Sequence, residues 1–182
     1  MKKIAIISSA VTLMILSYTS LVFSNNILPT VKSVNLSRYI GTWYEIAAIP
    51  NYFQKGCFCT TVNYSLPKNK NYMKIHNYCR KESTKGKITD VNGKGFVVKG
   101  SGNAKLRVQF FWPFRGDYWV IYLNKEYKYA MVGEPSRERL WIISRKPKMS
   151  LKIYNGLKRI AQNYGYATSK LKVTDQSCYT SY

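Results

Sequence analysis

The feature that most constrains the fold of this chain is a succession of short segments in which apolar and polar residues alternate. In residues 105–110, leucine, valine and phenylalanine share one face, while lysine, arginine and glutamine share the other. This period of two is typical of a β-strand with one apolar side and one solvated side. The sequence predicts strands near residues 42–49, 57–66, 71–80, 86–99, 104–112, 117–124, 128–134 and 139–145.

Short connections rich in turn-forming residues separate the predicted strands, among them residues 67–71, 100–103, 112–116 and 124–126. Eight short strands in direct succession favour an antiparallel up-and-down meander, which can close on itself and so remove its exposed edges. The predicted fold class is therefore all-β, an eight-stranded antiparallel up-and-down β-barrel. A barrel of this size encloses either packed side chains or one small ligand.

A change of period follows the last predicted strand. Apolar residues recur every three to four positions over residues 151–164, which is the spacing of an amphipathic α-helix. Ser150 suits the N-cap position and Gly165 suits the C-terminal end. We expect this C-terminal helix to pack outside the barrel against the last strand, and residues 171–174 to add a short closing strand.

The N-terminus has the pattern of an export signal. Residues 1–3 form a short basic start, residues 4–23 are uncharged and mostly apolar, and residues 22–24 suit cleavage before Asn25. The sequence therefore predicts a signal peptide at residues 1–24. An uncleaved anchor is the alternative, since the apolar run is close to membrane-spanning length.

The remaining chain, residues 25–182, shows no repeat, linker or low-complexity tract, and we expect it to form a single domain. Residues 1–56 contain no cysteine, so attachment of lipid to an N-terminal cysteine is not expected. The predicted location is outside the cytoplasm. The periplasm, with or without association with the outer membrane, and full secretion remain open alternatives.

The charge of the chain is strongly basic, with 29 lysines and arginines against 8 acidic residues and a formal net charge of +21. Such a surface favours anionic partners, which include membrane headgroups, acidic polysaccharide and nucleic acid. A lysine-rich proteome is the simplest alternative explanation. Charge alone does not choose among these partners.

Four cysteines, Cys57, Cys59, Cys79 and Cys178, occur after the export signal. An even number in an exported chain predicts two disulfides, for which three connectivities exist. A zinc site is disfavoured, because Cys57 and Cys59 have the wrong spacing and His76 is the only histidine. We expect His76 to be a solvent-facing strand residue, and we expect no metal or other cofactor.

Three motifs together resemble the lipocalin family. Residues 41–47, which read GTWYEIA, match the first lipocalin signature, residues 127–132 resemble the second, and residues 140–145 resemble the third. The threonine and aspartate that usually precede the second signature are replaced by Lys125 and Glu126. Residues 110–114 and 140–147 are most similar to the bacterial outer-membrane lipocalins, and residues 173–178 are more similar to apolipoprotein D.

The resemblance implies a structural role for Gly41, Trp43 and Arg145. In lipocalins the tryptophan closes one end of the barrel and the arginine lies over its ring. A guanidinium over an indole is a favourable cation–π contact, worth up to about 2 kcal/mol when desolvated. These residues are accordingly expected to stabilise the barrel rather than to bind ligand.

The resemblance also implies the disulfide pairing. Similar proteins join a cysteine four residues before an Asn-Tyr-Ser sequence to the C-terminal tail, which corresponds here to Cys59 and Cys178. Cys57 and Cys79 then remain as the second pair. Strand alternation places Cys79 on the inner face, which disagrees with this pairing unless one strand carries a β-bulge.

Candidate ligand-binding residues come from strand alternation, aided by the resemblance. For the sixth strand, the resemblance turns Trp119 outward towards the helix and Tyr118, Val120 and Tyr122 inward. The predicted ligand-binding residues are Val62, Tyr64, Phe96, Leu106, Val108, Phe110, Tyr118, Tyr122 and Trp141. Phe53 is placed near the open mouth. Simple core packing is the alternative role for each of these side chains.

The leading hypothesis is an exported lipocalin that stores or transports fatty acids or lysophospholipids in a barrel cavity, in the service of membrane maintenance. It would act as a monomer or homodimer, with peripheral contact to an anionic membrane and no nucleic acid partner. One alternative is a basic surface-binding protein that acts on anionic membranes or host molecules. A lipocalin-type enzyme is another, although the sequence offers no nucleophile–base pair, so we expect no enzymatic activity.

Overall fold

The computed structural model describes residues 27–179, and the predicted signal peptide at residues 1–24 lies outside them. Within this range, eight strands follow one another with the alternation seen in the sequence. The strands are β1 (Gly41–Ala48), β2 (Cys57–Ser65), β3 (Met73–Lys81), β4 (Ile88–Val97), β5 (Lys105–Gln109), β6 (Gly116–Leu123), β7 (Tyr129–Gly133) and β8 (Leu140–Ser144).

Each strand pairs antiparallel with the next, and β1 pairs with both β2 and β8, so the sheet closes into a barrel. The predicted eight-stranded up-and-down barrel is confirmed. Most strands are shorter than predicted, and β4 and β5 differ most: β4 lacks both ends of residues 86–99, and β5 covers only residues 105–109 of the predicted 104–112. The aromatic segment that follows β5 contains Pro113, which has no amide hydrogen to continue the ladder.

The two ends of the barrel differ. At one end, which we call the floor, the lead-in chain and the short helix α1 (Leu36–Tyr39) cross the opening. The amide of Val31 donates to the carbonyl of Val120, and that of Val34 donates to the carbonyl of Gly102. At the other end, which we call the mouth, the connections β1–β2, β3–β4, β5–β6 and β7–β8 leave the barrel.

The predicted C-terminal helix is present as α2 (Leu151–Asn163), with the Ser150 side chain accepting from the amide of Ile153. Gly165 adopts a φ of +84° just beyond its end, a conformation that glycine tolerates well. Leu157 and Ala161 of α2 are buried against Leu140, Ile142 and other outward-facing side chains of the barrel. The helix therefore covers the outer apolar face of β8, as the amphipathic pattern indicates.

The tail after α2 fills a gap in the barrel wall. The short strand β9 (Lys172–Val173) pairs with Ala47 and Ala48 of β1, on the side where the pairing of β1 with β2 has ended. Beyond β9, the side-chain amide of Gln176 donates to the carbonyls of Glu45 and Thr60, over 2.7 and 2.8 Å. The tail thus supplies hydrogen bonds that these two strands do not make to each other.

Both disulfides have the pairing that the resemblance implies, Cys57–Cys79 and Cys59–Cys178. The parity conflict at Cys79 is resolved by an irregularity in β2 between Phe58 and Thr61, where Cys59 has a φ of +53°. The bulge turns neighbouring cysteines towards different partners, one in β3 and one in the tail.

In the part of the chain that the structure describes, no helix is long and apolar enough to cross a membrane.

Candidate ligand site

The inner face of the barrel is mostly apolar and brings together most of the predicted ligand-binding residues. A single cluster contains Val62, Tyr64, Leu106, Val108, Phe110, Tyr118 and Trp141. The cluster has two levels. Tyr64, Leu106 and Tyr118 are buried in its lower part, whereas Val108, Phe110 and Trp141 are only half-buried although they point inward. The inner face is therefore sealed near the floor and accessible near the mouth.

The prediction that Tyr122 points inward is wrong. The register of β6 with β7 shifts between Val120 and Tyr122, so Ile121 is an extra residue in the ladder. Two successive side chains, Ile121 and Tyr122, then lie on the outer face in the cluster beneath α2, and Leu123 takes the inner position. A bulge reverses parity beyond it, and strict alternation does not reveal the bulge.

The prediction that Phe96 points inward is also wrong. Phe96 pairs with Arg107 on the outer face, where its ring lies 4.3 Å from the guanidinium of Arg115. Gly93 and Gly95 instead take inner positions of β4, opposite the buried Ile75 and Met73 of β3. A Cβ atom on Gly93 would lie 2.7 Å from the ring of Phe110, so this glycine makes room for that ring. Because glycine carries no apolar side chain, the hydrophobic pattern of β4 indicated the wrong face.

The floor has the arrangement that the resemblance implies. The guanidinium carbon of Arg145 lies 3.9 Å from the ring centroid of Trp43, which is fully buried. Arg145 also donates to the carbonyls of Arg38, Tyr39 and Thr42, over 2.8, 3.1 and 3.0 Å. Gly41 has a φ of +93°, and a Cβ there would lie 3.3 Å from a guanidinium nitrogen of Arg145. The close approach thus favours glycine at this position.

Above the floor, three tyrosines form a buried hydrogen-bonded group. The Tyr118 hydroxyl lies 2.8 Å from that of Tyr39 and 2.7 Å from that of Tyr64. Burial raises the pKa of all three hydroxyls, so they remain neutral at physiological pH. Sequence reasoning did not assign Tyr39 to the interior, because α1 is too short to show a period.

Near the mouth, the inner face carries a buried acid that sequence reasoning did not single out. Glu45 lies opposite Ile143, and it accepts hydrogen bonds from Thr174, over 2.6 Å, and from the side-chain amide of Gln54. Burial raises the pKa of Glu45 above its ordinary value of 4.5, and the two hydrogen bonds partly offset this shift. Strand alternation could have placed Glu45 on the inner face, since it lies two residues after Trp43 in β1.

Gln54 connects the loop at the mouth to the neighbouring strands β1 and β8. It lies in a 3-10 turn, Tyr52–Gln54, and its side-chain oxygen accepts from the indole nitrogen of Trp141 over 2.9 Å. Its side-chain amide donates to Glu45, so one residue joins β1, β8 and the loop. Phe53, predicted to lie near the mouth, is in this loop and is 70% exposed.

A pocket of about 580 Å³ lies beside this polar group, between the β1–β2 connection and the tail. Glu45, Gln54 and Thr174 line it together with Phe58, Ala48 and Val173. Lys55 and Lys172 lie on its border, as does Asp175. The pocket therefore combines apolar surface with hydrogen-bonding groups and two cations, which suits a ligand with an apolar body and a polar head.

The histidine and the cysteines, which could take part in catalysis or metal binding, have defined partners in residues 27–179. His76 lies on the outer face, with its Nε2 atom 2.8 Å from a carboxylate oxygen of Asp90. All four cysteines are in disulfides. Within residues 27–179, no group of three histidine, cysteine, aspartate or glutamate residues has the arrangement of a metal site.

The profile of a family described as "Lipocalin-like domain" matches residues 34–176, which is most of the chain. The chain belongs to the lipocalin family. This lipocalin is 36% identical over 141 residues to the outer membrane lipoprotein Blc of Citrobacter freundii, covering 78% of each chain. It is 31% identical over 156 residues to apolipoprotein D of Bos taurus, covering 81% of this chain and 80% of that one. The predicted resemblance to both groups is confirmed.

The fold of this lipocalin also matches a solved structure with little sequence similarity. Insecticyanin from the tobacco hornworm Manduca sexta aligns with a TM-score of 0.65 at 17% identity, covering 81% of this chain and 84% of that chain. At this level of identity the likeness concerns the fold alone. The barrel with one outer C-terminal helix is thus shared across very different sequences.

Proposed function

We propose that this lipocalin binds a single-chain lipid, such as a fatty acid or lysophospholipid, with the acyl chain entering the barrel through the mouth. The observation that carries the proposal is the half-buried state of Val108, Phe110 and Trp141 on the inner face. Apolar side chains that point inward and still contact solvent are stabilised by an apolar ligand, which removes their surface from water.

The polar head of the ligand would lie at the pocket beside Glu45. Lys55 and Lys172 border this pocket and favour a carboxylate or phosphate group, while the Gln54 side chain offers hydrogen bonds. The name of one relative, apolipoprotein D, agrees with a lipid ligand. The chain would store or transport this lipid in membrane maintenance.

Binding would be reversible and without chemical conversion of the lipid. The histidine at position 76 is paired with Asp90 on the outer face, away from the mouth, and the cysteines are bonded. Among residues 27–179, the candidate site thus holds no thiol or imidazole to act as nucleophile or base. Glu45 is the one acid in it with a raised pKa, and its oxygens are engaged by Thr174 and Gln54.

We further propose that the chain is exported and that residues 1–24 are removed, leaving one lipocalin domain. Two disulfides favour an oxidising compartment. The relatives named above support a place at the cell envelope or outside the cell. Mass spectrometry of the protein from its own host tests the cleavage before Asn25.

Displacement of a dansyl-labelled fatty acid tests the lipid site. The unmodified protein is expected to bind the probe and to release it to oleate or lysophosphatidylcholine. Val108→Phe narrows the accessible part of the barrel and should weaken probe binding about tenfold or more. Val98→Phe makes the same change just after β4, where Val98 is exposed near the floor, and should leave binding unchanged.

The proposal fails if the unmodified protein binds none of these lipids, or if Val108→Phe binds the probe as well as Val98→Phe does. Thermal unfolding of both variants shows whether the barrel remains folded. If Val108→Phe is unfolded, Phe110→Ala replaces it, because this change removes apolar lining instead of adding volume. Unchanged binding by a folded Phe110→Ala variant would equally contradict the proposal.

A further inference from the structure

Five aromatic side chains at the mouth are exposed to solvent. Tyr52 and Phe53 in the β1–β2 connection are 86% and 70% exposed. Phe111, Trp112 and Phe114 in the β5–β6 connection are 63%, 86% and 75% exposed. Large aromatic residues are costly to leave in water in such numbers, so a group of them at one end of the molecule marks an interaction surface.

The positions of the two loops restrict the shape of the partner. In the closed order of strands, the β1–β2 connection and the β5–β6 connection lie on opposite sides of the barrel. Both leave the barrel at the same end, so their aromatic tips flank the mouth. Two separate apolar loops on either side of an opening can both contact a flat, deformable surface, whereas a protein partner usually buries one contiguous patch.

The charge around the mouth indicates the chemistry of that surface. Lys55 and Arg115 are in the aromatic loops themselves, and Lys81, Lys85 and Lys87 against Glu82 surround the β3–β4 connection. The β7–β8 connection balances two arginines with two glutamates over residues 134–139. The mouth is therefore net basic, with aromatic tips projecting beyond it, which is complementary to an anionic lipid headgroup layer.

We propose that the β1–β2 and β5–β6 connections dock the mouth of the barrel on an anionic lipid bilayer, with the aromatic side chains inserted among the headgroups. The bilayer would be the source of the lipid that enters through the mouth, so this proposal rests on the proposed function. Aromatic rings occupy the interface between headgroups and acyl chains, while lysine and arginine contact the phosphates. A lipid would then pass between bilayer and barrel without crossing water.

Vesicle sedimentation of the exported, disulfide-bonded protein tests the docking surface. We expect binding to phosphatidylcholine vesicles that contain phosphatidylglycerol, and about tenfold weaker binding to pure phosphatidylcholine or at high salt. Replacing Trp112 and Phe114 with serine should lower binding to the anionic vesicles by about tenfold, since the interfacial aromatics are lost. Replacing Tyr52 and Phe53 with serine should act in the same direction.

Leu151→Ser is the matched control, because Leu151 is 76% exposed at the start of α2, away from the mouth. It should bind vesicles as the unmodified protein does. Vesicles of brominated lipid give a second measurement: their quenching of tryptophan fluorescence should fall strongly in Trp112→Phe, which retains an aromatic ring and hence binding. Trp43 is fully buried and Trp119 and Trp141 are half-buried, so Trp112, which is 86% exposed, is the main reporter of insertion.

The docking proposal is overturned if both serine variants bind anionic vesicles as Leu151→Ser does, or if Trp112→Phe is quenched as strongly as the unmodified protein. A dimer in solution that is lost in the serine variants would also overturn it, because a second copy would then occupy the aromatic tips. Val108→Phe separates the two proposals, since it should lose probe binding and keep vesicle binding.

Discussion

Trp141 donates from its indole nitrogen to the side-chain oxygen of Gln54 over 2.9 Å, which ties the inner face of β8 to the loop at the mouth. Gln54 in turn donates to Glu45 of β1. The loop that borders the pocket is thus held through Gln54 by hydrogen bonds to two neighbouring strands, and one of the two partners, Trp141, is a residue predicted to contact ligand. Because these hydrogen bonds hold the loop at the mouth, the loss of one of them should change the rate at which a bound ligand leaves.

Trp141→Phe should speed the exchange of bound lipid more than it lowers stability. The change keeps an aromatic ring on the inner face and removes the donor to Gln54, a loss of about 1 kcal/mol. We expect probe dissociation to accelerate about fivefold in stopped-flow measurements, since that energy no longer holds the loop. Trp119→Phe is the control, because Trp119 donates to Asp117 on the outer face. Equal dissociation rates in the two variants would contradict the role of the loop contact.

Arg145→Ala should destabilise the barrel while lipid binding persists. The variant loses the contact of the Arg145 side chain with the ring of Trp43 and its four hydrogen bonds to carbonyls near the floor. We expect the free energy of unfolding to fall by about 2–4 kcal/mol in urea denaturation, with Arg38→Ala as the milder exposed comparison. A melting temperature equal to that of the unmodified protein would show that the floor does not depend on this contact.

Glu45 should make stability fall as pH rises. Its pKa in the folded protein is raised above 4.5, mainly by burial. Between the ordinary and the raised pKa, the folded protein retains the proton that the unfolded chain has lost, so stability decreases with rising pH through this window. Glu45→Gln cannot ionise, and the difference in stability between variant and unmodified protein should therefore grow in favour of the variant. Urea unfolding at a series of pH values measures this difference.

A variant at an exposed acid, Glu126→Gln, controls for the general effect of removing one negative charge. If the stability difference for Glu45→Gln is constant with pH, the carboxylate does not titrate on folding. The same result for both variants would equally exclude a special role for the buried acid.

The two disulfides should contribute unequally to stability. Cys59–Cys178 closes a sequence separation of 119 residues, whereas Cys57–Cys79 closes one of 22. By loop entropy, replacing the first pair with serine should cost about 5 kcal/mol and replacing the second about 3 kcal/mol. The first pair also holds the tail whose Gln176 bridges β1 and β2. Urea unfolding of both double variants tests the order, and a larger loss for Cys57–Cys79 would refute it.

Several residues show why the inner face was predicted well in some strands and wrongly in others. In β5, alternation is regular, and Leu106 and Val108 lie inward as expected. In β6, a bulge at Ile121 turns Tyr122 outward. In β4, glycines occupy two inner positions and leave Phe96 as a misleading apolar signal on the outer face. Alternation fails where a bulge adds a residue or where a glycine has no side chain, because hydrophobicity then no longer indicates which face of the strand a residue occupies.

The mouth was less predictable than the barrel. Gln54 lies in a loop, where no period exists, and Thr174 reaches Glu45 only because the tail returns to the wall of β1. Their association depends on contacts between distant parts of the chain, Trp141 with Gln54 being 87 residues apart. For a polar residue in a loop, the sequence does not indicate which distant residue it will contact.

The sequence by itself determined the closed barrel, the outer helix and the family, because short-range alternation, helical spacing and three ordered motifs are local properties of the chain. Only the tertiary structure decided which apolar side chains enter the barrel, how Glu45 is buried and where the exposed aromatics gather around the mouth. The physical reason is that burial and hydrogen bonding depend on neighbours supplied by distant segments. Register shifts and loop paths fix those neighbours, and both arise only when the sheet closes.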